Sequence, residues 1–189
     1  MKKIAVFASG NGSNAQHLAE YFAKTETSKV VAIYCNNPKA YVIQRASVLK
    51  VPLILFDREK FYAEDTILKD LLTRKIDLIV LAGFLWLMPC NITKAFNRRI
   101  LNIHPALLPL YGGKGMYGAK VHETVIENGD TESGITVHLV DEVYDKGEVL
   151  FQAKCPVLPD DTSDSLADKI HKLEYEHYPK VIAQYLTKL

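Results

Sequence analysis

Ile4-Ala5-Val6-Phe7-Ala8, followed at once by Ser9-Gly10-Asn11-Gly12-Ser13-Asn14, constrains this chain more than any other stretch. A continuous apolar run suits a strand buried on both faces. The glycine turn leads into Ala15 to Lys24, where Leu18 and Phe22 sit four apart, as on one face of a helix. The unit therefore reads as strand, tight turn, helix.

The same alternation continues. Val30 to Tyr34, Pro52 to Phe56 and Leu78 to Ala82 read as strands. Ala40 to Leu49 reads as a helix, and Asp57 to Arg74 as a longer one with Ile67, Leu68, Leu71 and Leu72 as its apolar stripe. A short helix over Asn91 to Asn97 leads to Ile100-Leu101-Asn102-Ile103. Strands alternating with helices predict an α/β fold: a single Rossmann-like domain over residues 1–189, with a mostly parallel central sheet and helices on both faces. After Tyr111 comes a loop with Gly112, Gly113, Gly115 and Gly118 around Lys114, Met116 and Tyr117. A helix over Ala119 to Glu127 stops at Asn128-Gly129. Strands follow at Ile135 to Val140 and Val149 to Cys155, then a helix capped by Thr162 or Ser163 and reaching Tyr185, with Asp164 near its positive end.

Composition narrows the class. With 23 basic and 22 acidic residues the formal charge is +1, which offers no electrostatic case for nucleic acid or an anionic membrane. No apolar window is long enough for a transmembrane helix, and the glycine turn interrupts too early for a signal peptide. Cys35, Cys90 and Cys155 are scattered and odd in number, as expected of reduced thiols in a cytoplasmic protein. No Cys-x-x-Cys or His-Glu-x-x-His spacing supports a zinc site.

Chemistry concentrates in three places. Asn102 and His104 lie two apart at a strand end, so both side chains aim the same way. An amide NH2 can stabilise a developing oxyanion and an imidazole can move a proton near neutral pH, a pairing suited to carbonyl chemistry. The plain alternative is a capping Asn and a solvent-exposed His. The glycine turn can present backbone N–H groups and a helix N-terminus to a phosphomonoester. The alternative there is a tight turn with Ser13 or Asn14 capping the helix. A dinucleotide is disfavoured, because Cys35-Asn36-Asn37-Pro38 supplies no acid after the second strand. The third place is His138 to Gly147, with Asp141, Glu142 and Asp145; a carboxylate there would raise the pKa of a nearby imidazole. His138 itself fits a strand His with a satisfied hydrogen bond, and His122 and His171 fit surface positions on helices.

Gly10-Asn11-Gly12-Ser13-Asn14, Leu81-Ala82-Gly83-Phe84 and Asn102-Ile103-His104-Pro105-Ala106-Leu107-Leu108-Pro109, in that order and completed by His138 and Asp145, resemble the phosphoribosylglycinamide formyltransferases of the folate-dependent formyltransferase group. The resemblance covers essentially the whole chain. It implies attack by the amine of glycinamide ribonucleotide on the formyl carbon of 10-formyltetrahydrofolate, giving formylglycinamide ribonucleotide and tetrahydrofolate, without a metal. It further implies that Asn102 donates to the oxyanion, that His104 serves as general acid or electrostatic partner, and that Asp145 holds and tunes His104. Gly12, Ser13 and Asn14 match the phosphate turn and Glu174 the ribose-contacting acid. Arg58, Leu85, Trp86, Leu87, Met88, Asn102, Val140 and Asp141 match the folate side.

Some positions depart from the pattern. Trp86 stands where several relatives carry Arg, and Lys146 stands where some have Gly, close enough in sequence to compete for Asp145. The Gly112–Gly118 loop is longer than in some relatives, and Lys114 could meet either the nucleotide phosphate or the acidic tail of the folate. Two related activities share the Asn–His–Asp set: formyl transfer to methionyl-tRNA and hydrolysis of formyltetrahydrofolate. Both usually bring a further domain, which is not expected here. A noncatalytic ligand-binding protein is the rival of a different class. Oligomeric state is not readable from the sequence.

Overall fold

The computed structural model describes residues 1–189. Its seven strands are β1 (Lys2–Ala8), β2 (Ser28–Cys35), β3 (Leu53–Leu55), β4 (Leu78–Leu81), β5 (Ile100–His104), β6 (Glu132–Leu139) and β7 (Val149–Pro156). They form one sheet in the order β3-β2-β1-β4-β5-β6-β7, parallel through β5 and antiparallel at β6 and β7. The expected mostly parallel sheet is what forms. Chain direction across the sheet reverses between β1 and β4, which opens a crevice beyond the carboxyl ends of those strands.

The six α-helices are α1 (Ser13–Thr25), α2 (Val42–Leu49), α3 (Thr66–Thr73), α4 (Cys90–Ala95), α5 (Ala119–Glu127) and α6 (Ser163–Leu186). β1 shows why both faces must be covered. Ile4, Val6 and Ala8 enter a core built with α1, α2, α5 and α6, whereas Ala5 and Phe7 enter a second core with α3 and α4. The second core is rich in aromatics: Phe7 stacks on Tyr34 with ring centroids 4.6 Å apart, and Phe56, Phe61 and Phe84 pack around Phe7.

The expected helix over Asp57 to Arg74 is instead two pieces. A π-helical turn spans Glu59–Ala63, Glu64 is extended, and α3 follows. On one continuous helix Phe61 and Ile67 would differ by roughly 240° around the axis. The break at Glu64 lets both enter the same core. Ile67 and Leu71 are buried as expected, but Leu72 is 53% exposed. The C-terminal helix matches its predicted cap: Thr162 and Ser165 form a reciprocal capping box, and Asp164 lies in the first turn. No helix is long and apolar enough to cross a membrane.

Tyr178 of α6 is fully buried, and its hydroxyl reaches the carbonyls of Leu81 (2.9 Å) and Leu101 (3.3 Å) at β4 and β5. This ties the last helix to the strands that carry the crevice. Tyr178→Phe should cost about 1–3 kcal/mol, because it leaves buried acceptors without that donor. Urea unfolding checks this; an unchanged midpoint would show that the hydroxyl contributes nothing.

Candidate active site

Beyond the carboxyl ends of β1, β4 and β5 lies a cavity of about 780 Å³. Side-chain alternation decides what faces it. Leu101 and Ile103 of β5, with Ile135, Val137 and Leu139 of β6, point into the core shared with α6. Asn102, His104, Thr136 and His138 therefore project from the other face of the β5–β6 pair. Antiparallel register sets Asn102 opposite His138 and His104 opposite Thr136. Thr136 then holds the segment after His104: its hydroxyl donates to the Ala106 carbonyl (2.7 Å) and accepts from the Leu108 N–H (2.9 Å).

Backbone carbonyls assign the protons on both rings, because a carbonyl only accepts. His138 Nδ1 is 2.8 Å from the Leu139 carbonyl and must carry its hydrogen there. His138 Nε2 is then an acceptor, and the Asn102 amide donates to it at 3.1 Å. One N–H of Asn102 is thereby engaged, its orientation is fixed, and the second is left for a ligand. His104 Nε2 is 2.7 Å from the Tyr111 carbonyl, so its hydrogen sits on Nε2 and Nδ1 offers a lone pair. That carbonyl is held by a left-handed backbone at Tyr111, whose phenol donates to Asp130 at 2.5 Å.

Asp145 faces both rings. Its carboxylate lies 3.7 Å from His104 Nδ1 and 3.5 Å from His138 Nε2, and it accepts the Gly113 N–H at 2.8 Å. At 3.7 Å it acts on His104 through space rather than by a direct hydrogen bond. Burial pushes the Asp145 carboxyl up, but His138, the Gly113 N–H and His104 outweigh it and hold it below the usual carboxylate range. For His104 the balance runs the other way. Burial, with His138 adding to it, lowers its pKa more than Asp145 and the Tyr111 carbonyl raise it, so the ring is neutral at neutral pH. The expected upward pull of the carboxylate is present, and desolvation outweighs it. Lys146 is exposed and forms no ion pair, so it does not compete for Asp145. Asp145 has φ 54°, and Gly147 two residues on is obligatory, since a Cβ there would lie 1.8 Å from the Leu139 carbonyl oxygen.

The glycine turn lines the same cavity through Gly10, Asn11, Gly12, Ser13 and Asn14. Neither Ser13 nor Asn14 caps α1; Gly12 is the N-cap, at φ 75°, and no side chain bonds the first turn. The first amides of α1 are thus free for an anion. The Asn14 side chain is not free: its amide donates to Glu174 at 2.8 Å, leaving the backbone N–H of Asn14 as its group for a phosphate. Glu174 is buried, and burial raises its pKa despite Asn14 and His171.

On the other face of the sheet, Leu85, Trp86, Leu87, Met88, Val140 and Arg58 line the cavity. The Arg58 guanidinium lies 4.8 Å over the Trp86 ring, which packs against Phe56 and Phe61. Trp86 is thus both a packing and a stacking residue. Asp141 does not line the cavity; it is exposed, and its carboxylate caps the Val143 N–H at 2.8 Å. Lys114 lines the cavity from the glycine-rich loop.

His138 is a strand histidine with satisfied hydrogen bonds, as expected, whereas His122 departs from its surface reading. His138 orients Asn102, and the signal for it was strand pairing: a period-2 match across β5 and β6 that only the register reveals. His122 is not a surface residue. It is 5% exposed, lines the cavity, and its Nδ1 has no hydrogen-bond partner. Burial, with His171 and His104 nearby, lowers its pKa to about 4. The unfolded chain takes up that proton near pH 6.5, whereas the folded chain does so only near 4. Stability therefore falls as pH drops through this window, by on the order of 3 kcal/mol from this group. His122→Gln should flatten the urea-midpoint profile between pH 6.5 and 4; the same slope in both proteins would refute the assignment.

The sequence matches the family described as formyl transferase over residues 2–182. Phosphoribosylglycinamide formyltransferase, chloroplastic, of Vigna unguiculata is 40% identical over 186 residues, covering 96% of this chain and 60% of the relative. The phosphoribosylglycinamide formyltransferase of Haemophilus influenzae is 37% identical over 187 residues, covering 96% of this chain and 86% of the relative. The crystal structure of phosphoribosylglycinamide formyltransferase from Streptococcus pneumoniae TIGR4 superposes with a TM-score of 0.86 at 37% identity, covering 98% of this chain and 99% of that one. The chain thus spans less than two thirds of the plant relative and nearly all of the streptococcal chain. With a match over residues 2–182, nearly its whole length, this chain belongs to the formyl transferase family.

Proposed function

We propose that residues 1–189 form a single formyltransferase domain that moves the formyl group of 10-formyltetrahydrofolate to the amine of glycinamide ribonucleotide, yielding formylglycinamide ribonucleotide and tetrahydrofolate in purine biosynthesis. One observation carries this reading: a single cavity joins an uncapped glycine turn, suited to a phosphate, to a strand-end amide and imidazole suited to acyl transfer. The names of the relatives agree with it. A cytoplasmic setting is part of the proposal and is supported by free thiols at Cys35, Cys90 and Cys155.

The residues divide the work. Backbone N–H groups of Gly12, Ser13 and Asn14 bind the phosphate, and Glu174 accepts from ribose hydroxyls. Leu85 to Met88 and Val140 provide the apolar wall for the folate, with Arg58 available to its acidic tail. The second N–H of Asn102 donates to the formyl oxygen as negative charge develops there. His104, neutral and with Nδ1 free, accepts a proton from the attacking amine and then serves as the general acid toward the leaving nitrogen. The new carbon–nitrogen bond forms, the bond to the folate nitrogen breaks, and the proton passes from His104 to that nitrogen. Asp145 stabilises the transient imidazolium.

The direct assay mixes the protein with 10-formyltetrahydrofolate, with and without glycinamide ribonucleotide, and follows absorbance. Turnover should require the ribonucleotide. Equal turnover without it would indicate a hydrolase, and no turnover by folded protein would indicate a binding role.

Asp145→Asn removes the one carboxylate that raises the pKa of His104. Its kcat should fall about a hundredfold, in the range of lost acid–base assistance. The acid limb of the pH profile, set by neutral His104, should move to lower pH. An acid limb that stays or moves upward would exclude this role.

A further inference from the structure

Arg45, which the reaction scheme does not use, has a specific position behind the glycine turn. It lies on α2, half-buried, and is not among the residues lining the cavity. Three of its five N–H donors are engaged, two of them by Asn11 of that turn. Nε donates to the Asn11 carbonyl at 2.9 Å and Nη2 donates to Asn11 Oδ1 at 2.7 Å. Nη1 donates to Gln16 Oε1 on α1, and the group stacks 4.9 Å over the Tyr41 ring. Two further contacts join α2 to the turn. The Val42 N–H donates to the Gly10 carbonyl at 3.2 Å, and Gly12 sits so close to Val42 that a Cβ at Gly12 would lie 2.3 Å from Val42 Cγ2.

The geometry points to Arg45 as the positioning residue of the phosphate turn. In a trans peptide the carbonyl and the following N–H point in opposite directions. A guanidinium that fixes the Asn11 carbonyl from the α2 side therefore fixes the Gly12 N–H pointing away from α2. Asn11 is exposed and Gly12 is at a positive φ, so this peptide has little else to hold its plane. A planar fork suits the task, because it binds two oxygens of one residue at once; a lysine brings the charge without the fork. Arg45 thus acts on the ribonucleotide through the turn, without touching it. This rests on the reading that the turn binds the ribonucleotide phosphate.

Steady-state kinetics on the full chain with Arg45→Met and Arg45→Lys test it. Both variants should raise KM for glycinamide ribonucleotide about tenfold, in line with the loss of a bidentate charged contact. Their kcat and KM for 10-formyltetrahydrofolate should stay within about twofold. A ribonucleotide KM unchanged in Arg45→Met, a parallel rise for both substrates, or full recovery in Arg45→Lys would each overturn the inference. The last outcome would mean that charge alone acts. Inorganic phosphate as an inhibitor of the wild-type protein separates the two levels. If phosphate competes with the ribonucleotide while the Arg45 variants are normal, only the role of Arg45 falls. If phosphate does not compete, the phosphate reading falls and the role of Arg45 with it. Should thermal unfolding show that Arg45→Met is unfolded, Asn11→Ala removes half of the grip with α2 intact. It should raise the same KM about threefold, and no rise would count against the inference.

Discussion

The register between β5 and β6 sets the Asn102 amide against the His138 ring, and the Leu139 carbonyl decides which nitrogen of that ring can receive it. The rest of the active face depends on this pairing. Shifting β6 by one residue would turn His138 and Thr136 into the core and bring Val137 and Leu139 to the cavity. Asn102 would lose the partner that orients it, and the segment after His104 would lose the Thr136 hydroxyl that secures it. The register is well protected, since the opposite face of both strands is buried against α6. The packing of one face thus enforces the chemistry of the other.

Burial and charge compete at His104, and the outcome sets its role. A carboxylate alone would make the imidazole a better acid–base group by keeping it protonated near neutrality. Here the ring is 4% exposed, and desolvation exceeds the pull of Asp145 at 3.7 Å. The ring is therefore neutral at rest, with Nδ1 free because the Tyr111 carbonyl holds the hydrogen on Nε2. Asp145 acts most strongly on a charged ring, so it would favour the protonated form that the proposed reaction passes through. The left-handed backbone at Asp145 and the close approach at Gly147 keep the carboxylate in this position.

Much of this was legible in the residues. The apolar run of β1, the glycine turn and the alternation of later strands with helices are local signals, and each appears close to its expected place. α5 has its expected ends because Asn128-Gly129 is a strong stop. The helix expected from Asp57 was less legible. Its break at Glu64 comes from the need of Phe61 and Ile67 to reach one aromatic core, a demand made by distant residues. Asp141 and Asp145 look alike in sequence as loop carboxylates. Local chemistry does not separate them; the family resemblance singles out Asp145, and the fold sends the first to solvent and the second between two imidazoles.

The sequence by itself determined the α/β alternation, the placement of a glycine turn before a helix, and the two-residue spacing that aims Asn102 and His104 together. These follow from backbone periodicity and turn chemistry, which act over a few residues. Tertiary structure alone decided that His138 faces Asn102, that His122 is buried with an unpartnered nitrogen, that Arg45 grips Asn11, and that burial outweighs Asp145 at His104. Each of these depends on residues tens of positions apart meeting at one depth in the protein. Depth controls desolvation, and no local pattern of residues records it.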